Sequence, residues 1–68
     1  MISNQAARIL ELLASEERRL EEIVKRTRIP KNLARNLIER LVAEGFVEGK
    51  GEVFSLTEKG ERWLKERL

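Results

Sequence analysis

The sequence predicts an α+β, mainly α domain: a three-helix core, a two-stranded β-hairpin and a C-terminal helix. Three observations predict it. Apolar residues recur at helical spacing in three separate stretches before Gly45. Directly after Gly45 their period shortens from 3.6 to 2 across a Gly-bounded turn. Thr57 then opens a last stretch whose charges run from acidic to basic, the order a helix dipole favours. At 68 residues there is room for a single domain, 1–68, with one small core.

In residues 4–14, Ala6, Ile9, Leu10 and Leu13 fall at i, i+3, i+4 and i+7, an amphipathic helix capped by Ser3 or Asn4. Leu12 lies about 60° off that stripe, either as a flank residue or as half of a contact with another chain. Residues 15–19 read as a charged connector. Leu20, Ile23 and Val24 then mark a short second helix over about 21–27, with Glu21 and Glu22 in its first turn and Lys25 and Arg26 in its last. Pro30 disfavours the helical region at Ile29 and suits the first turn of a new helix, so the chain breaks and restarts there. The third helix spans about 31–44, with Leu33, Leu37 and Leu41 as a ridge, Ala34 and Ile38 beside it, and Gly45 as a left-handed stop. With Leu33 at 0° on a wheel of about 100° per residue, Asn32, Arg35, Asn36 and Glu39 fall between about 200° and 300°, away from the ridge. Strands over 46–48 and 52–56 flank a turn of Gly49, Lys50 and Gly51, with Lys50 at the tip. Thr57 caps a final helix to Leu68, with Trp63 or Leu64, and Leu68, on its buried side.

Composition narrows the chemistry. Cys, His and Tyr are absent, and all 12 acidic residues are Glu. Disulfides, thiolate or imidazole catalysis and most transition-metal sites are thereby excluded, so no catalytic residue, metal or cofactor is expected. No apolar run approaches the roughly 18 residues that span a bilayer, and the N-terminus lacks a basic and an apolar leader region. A soluble cytoplasmic protein is expected. The whole chain carries only +2, but residues 25–37 hold five cations, Lys25, Arg26, Arg28, Lys31 and Arg35, and no carboxylate. That concentration is either a solvated basic surface or a face complementary to a polyanion. Abundant Glu, Lys and Arg beside the missing residue types fit a thermophilic source or design; the unequal helices and outward asparagines weigh toward the former.

The run from Leu20 through Val47 has an apolar pair in its second helix, a tight turn, an apolar-periodic third helix and a closing Glu44-Gly45-Phe46-Val47. It resembles the winged helix-turn-helix regulators of bacteria and archaea. Leu56-Thr57-Glu58-Lys59-Gly60 is similar to the segment after the wing in the MarR-like and PadR-like families. The resemblance implies a sequence-specific regulator of transcription that binds double-stranded DNA, with the third helix in the major groove and the hairpin as a short wing. Arg35 is then the candidate for guanine and Asn32 or Asn36 for adenine, because each side chain offers bidentate geometry to those base edges. Lys25, Arg26, Arg28, Lys31 and Lys50 are the candidates for backbone phosphates. The alternative for the helix residues is plain solvation, with Arg35 paired to Glu39 one turn on.

Arg28 stands where such turns usually carry Gly, so either a non-Gly residue takes a positive φ or the turn differs by one residue. Regulators of this fold commonly dimerise through terminal helices, which makes Leu12, Trp63 and Leu68 candidates for a homodimer interface. Trp63 has a second reading as core against the first helix. No small-molecule ligand is implied. The alternative function is a winged-helix module for protein–protein interaction, which an exposed apolar patch around Leu12, Trp63 and Leu68 would favour.

Overall fold

A computed structural model describes residues 2–67. Its elements are α1 (Asn4–Leu13), β1 (Arg18–Arg19), α2 (Leu20–Thr27), α3 (Lys31–Ala43), β2 (Val47–Lys50), β3 (Val53–Leu56) and α4 (Glu58–Glu66). The strands form one antiparallel sheet in the order β1-β3-β2. Three helices, a hairpin and a closing helix match the architecture read from the sequence.

Ser3 caps α1, its Oγ accepting from the Ala6 amide at 3.1 Å, and Ala6, Ile9, Leu10 and Leu13 all point inward. They meet Ile23 of α2, Ile29 of the following turn, and Ala34, Ile38 and Leu41 of α3, with Val47 closing the core from the sheet. Leu33 is not part of that core. It is 36% exposed, because the buried stripe of α3 centres on Ala34, Ile38 and Leu41, and Leu33 stands about 100° round the helix from Ala34. Ala34 is fully buried, so the ridge expected from the leucines is rotated toward it.

A Schellman motif ends α3: the Phe46 amide donates to the Leu41 carbonyl at 2.9 Å and the Gly45 amide to that of Val42 at 3.0 Å. Gly45 takes φ +85 to allow it. The hairpin differs from expectation by its register. Gly49 pairs with Phe54 and Lys50 with Val53, so Lys50 is the last residue of β2 and the tip is Gly51-Glu52. At that strand position a Cβ would come within 2.9 Å of the Phe54 ring, which favours glycine. Gly51, at φ +64, supplies the positive φ that begins a two-residue turn. The connector expected over residues 15–19 also contains structure. Arg18 pairs with Phe54 and Arg19 with Val53, adding a two-residue strand to the free edge of β3.

The final helix ends at Glu66, and residue 68 lies outside the described residues. The start of α4 is bound to the end of α3. Thr57 Oγ1 accepts from the Gly60 amide at 3.1 Å and donates to the Gly45 carbonyl at 2.5 Å. Lys59 Nζ donates to the Glu44 carbonyl at 2.7 Å and lies 4.5 Å from the Phe46 ring centre. Gly60 packs so closely on the backbone that a Cβ would meet the Phe46 carbonyl oxygen at 2.3 Å. Gly60→Ala is therefore expected to destabilise the fold by about 1–3 kcal/mol, read as a lower urea midpoint at unchanged slope.

Candidate nucleic-acid interface

The turn between α2 and α3 is where the local sequence builds the site. Arg28 ends α2 in the left-handed region at φ 61, ψ 20, so a non-Gly residue does take the positive φ. Its amide donates to the Val24 carbonyl at 2.8 Å. The buried Thr27 holds both sides of the turn: Oγ1 donates to the Ile23 carbonyl at 2.6 Å and accepts from the Ile29 amide at 3.2 Å. Arg8, from α1, donates through Nη2 to the Thr27 carbonyl. That oxygen is one of the carbonyls a helix end leaves without an internal partner. Pro30 precedes α3 with an extended backbone and no side-chain cap, while its carbonyl accepts from Ala34 at 2.8 Å.

With the turn fixed, α3 presents Asn32, Arg35, Asn36 and Glu39 to solvent, as the wheel requires. Lys25 and Arg26 are exposed on the last turn of α2, Arg28 in the turn, and Lys31 at the start of α3. Among the described residues none of Lys25, Arg26, Arg28, Lys31, Arg35 and Lys50 makes an ion pair, whereas Arg18, Arg19, Arg62 and Arg67 do. The Arg35–Glu39 pair is not formed. Five neighbouring cations are thus available to a polyanion at one edge of the molecule. Lys50 stands apart from them, on β2 of the wing.

Between α3 and the wing runs an open groove of about 430 Å³, with Leu20, Ile38 and Phe54 in its floor. Lys31, Arg35 and Glu39 line it from α3, Glu21 from α2, and Gly51 and Glu52 from the wing tip. Sequence reasoning did not find this groove. Its three carboxylates come from three separate elements, and no spacing along the chain brings them together. Arg8 was likewise legible only as a polar residue on the outer side of α1.

Leu12 and Trp63 are both half-buried and packed against the core. Leu68 lies outside the described residues. The Arg67 guanidinium stands 5.2 Å from the Trp63 ring centre and donates to Glu11 at 2.7 Å, tying α4 to α1. Among the described residues, the large apolar side chains that are exposed are Leu33 and Val42, both on α3. None of these residues forms a group of three or more ligands suited to a metal ion. No helix is long and apolar enough to cross a membrane.

The helix-turn-helix domain model of the IclR family matches residues 5–51, which takes in the whole run from Leu20 to Val47. Among solved structures the chain is similar to ligand-free NadR, at 25% identity and a TM-score of 0.86 over 94% of this chain and 50% of that one. It is similar in fold to BpsR of Bordetella bronchiseptica, a protein whose DNA binding is regulated by 6-hydroxynicotinic acid. The identity there is 24% and the TM-score 0.92, over 98% of this chain and 53% of that one. AdcR, the adhesin competence repressor of Streptococcus pyogenes, is similar in fold at 22% identity and a TM-score of 0.88, over 96% and 54%. The chain spans about half the length of these solved chains. No curated protein matches it.

The turn makes a stability prediction of opposite signs at adjacent residues. Arg28→Gly should stabilise the fold by roughly 0.5–1 kcal/mol, since glycine takes a left-handed φ without strain. Thr27→Val, which strands the buried Ile29 amide, should cost about 1–3 kcal/mol. Equilibrium unfolding of the two variants beside the parent chain checks both.

Proposed function

The chain belongs to the IclR helix-turn-helix domain family and is a DNA-binding domain of the transcriptional-regulator type; from that premise we propose that it reads duplex sequence with α3 in the major groove. The observation that carries the reading is the set of unpaired cations, Lys25, Arg26, Arg28, Lys31 and Arg35, at the edge where α3 begins. A helix of this size fits the major groove, and its outward residues meet base edges there. Arg35 is assigned to guanine and Asn32 or Asn36 to adenine. Lys25, Arg26, Arg28 and Lys31 hold phosphates beside them, and Lys50 adds one backbone contact from the wing. The reading needs no cofactor and no reaction, and it places the chain in the cytoplasm with the nucleoid.

One copy offers few phosphate contacts, so we further propose a homodimer on two half-sites, with α1 and α4 at its seam. Leu12 and Trp63 are its candidate contacts, together with Leu68, which lies outside the described residues. A two-fold protein doubles the contact set and fixes the half-site spacing. A solution mass twice that of one chain, measured across a dilution series, tests it; a single-chain mass at every concentration removes it. Leu12 and Trp63 pack on the core and Arg67 lies over Trp63, so what they offer a second chain, whether a copy or another protein, is their half-exposed outer side.

Fluorescence anisotropy of duplex DNA at several salt concentrations tests the main reading. Affinity should fall steeply with salt, with a log–log slope of about −0.9 for each phosphate neutralised. Lys25→Ala should weaken every sequence alike and reduce that slope by about one contact. Arg35→Ala should cost about 1–3 kcal/mol on a preferred sequence and relax the preference at its base position. Equal losses from Arg35→Ala on all sequences would return Arg35 to the backbone set.

A further inference from the structure

Leu33, in the first turn of α3, is left in solvent outside the core, as among the described large apolar side chains is only Val42. Its surroundings are polar. Lys31 and Asn32 precede it and Asn36 stands one turn on, all exposed, while Leu37 is half-buried against the core. The wheel gives its direction. With Leu33 at 0°, the buried stripe of Ala34, Ile38 and Leu41 centres at about 105°, so the pole facing away from the core lies at about 285°. Asn36 is about 15° from that pole, Leu33 about 75°, and Arg35 about 85° on the other side of it. Leu33 thus belongs to the outward face as much as the arginine assigned to guanine. Val42 lies about 13.5 Å farther along the axis and about 180° round, so the two form no shared apolar patch of the sort that docks a protein.

We propose that Leu33 and Asn36 together read one A·T base pair, Asn36 binding the adenine edge and Leu33 covering the 5-methyl group of the thymine paired with it. The proposal rests on the DNA-binding reading and chooses Asn36 over Asn32 as the adenine contact. On its major-groove side an A·T pair presents adenine N7 and N6, then thymine O4 and the thymine methyl. A carboxamide takes the two adenine groups, which leaves the thymine end of the same pair to an apolar neighbour. Side chains at i and i+3 of a helix stand about 5–6 Å apart at Cβ, and Leu33 and Asn36 have that spacing. Asn32 and Leu33, adjacent in sequence, point about 100° apart and cannot share a pair in this way. Covering the methyl takes the Leu33 side chain out of water in the bound state only, so the gain goes to the duplex that carries the methyl.

The test uses a duplex selected by the parent chain from a randomised pool, with its thymines replaced one at a time by uracil. That change deletes the methyl and keeps every hydrogen-bonding group of the pair. Anisotropy should show a loss of about fourfold at one thymine of the bound site, repeated once if two copies bind, the scale of burying one methyl group. In Leu33→Ala the thymine and uracil duplexes should bind equally at that position. Leu33→Met keeps an apolar side chain and should keep the difference, and Val42→Ala should match the parent. Asn36→Ala should lose the adenine preference at the same pair, while Asn32→Ala should retain it. Since Leu33 lies outside the core, its alanine variant should unfold at the parent's urea midpoint, so that the comparison is between folded chains. A pool with no preferred sequence, no thymine whose methyl matters, or an undiminished thymine preference in Leu33→Ala overturns the proposal while DNA binding stands. So does loss of the adenine preference through Asn32→Ala instead. Failure of the parent chain to bind any duplex at low salt overturns the DNA-binding reading, and this proposal with it.

Discussion

The structure depends on how the chain turns between α2 and α3. Thr27 buries a hydroxyl that both accepts from and donates to the backbone, Arg28 takes the left-handed conformation, and Ile29 drops into the core as a consequence. Arg8 reaches across from α1 to a carbonyl that the end of α2 leaves open. Three helices therefore share one junction. The direction of α3 follows from it, and with that direction comes the placement of every side chain assigned to DNA. A backbone strain of about 1–2 kcal/mol at Arg28 is stored where a glycine would relieve it. In return, the turn carries a guanidinium in the middle of the basic edge.

Signals confined to a few residues were legible in the sequence. Ser3 and Thr57 cap the helices expected of them, Gly45 stops α3 with a positive φ, and the charge of Arg28 coincides with the strain foreseen for its position. What failed depends on contacts between distant residues. A two-residue strand at Arg18 and Arg19 has no period to detect, and it exists only because β3 leaves an edge beside it. Leu33 fits a leucine ridge by spacing, but the buried stripe of α3 runs through Ala34, Ile38 and Leu41 and leaves it exposed. Lys50 stands at the centre of a Gly-Lys-Gly triplet, yet it pairs with Val53 as the last residue of β2, and the tip falls on Gly51-Glu52.

The candidate site divides in the same way. Asn32, Arg35 and Asn36 follow from one helix's geometry, so their common face was readable from 3.6 residues per turn. The basic edge was readable from a charge count. The acidic lining of the groove was not, because Glu21 reads as a favourable first-turn acid, Glu39 as a solvated residue and Glu52 as part of a strand. Each local reading is sound. Only the approach of α2, α3 and the wing gives the three carboxylates one neighbourhood.

The sheet also bears on the order in which the molecule comes together. Helix contacts in α1, α2 and the turn join residues close in the chain, whereas Arg18 pairs with Phe54, 36 positions away. Closing a loop of that length costs on the order of 3 kcal/mol of chain entropy, by the logarithmic dependence on length. Contacts of long separation form slowly, and those of short separation quickly. The wing's own hairpin joins neighbouring residues, but its pairing with β1 joins residues far apart in the chain. The two parts of the surface assigned to DNA thus differ in the chain separation of the contacts that hold them.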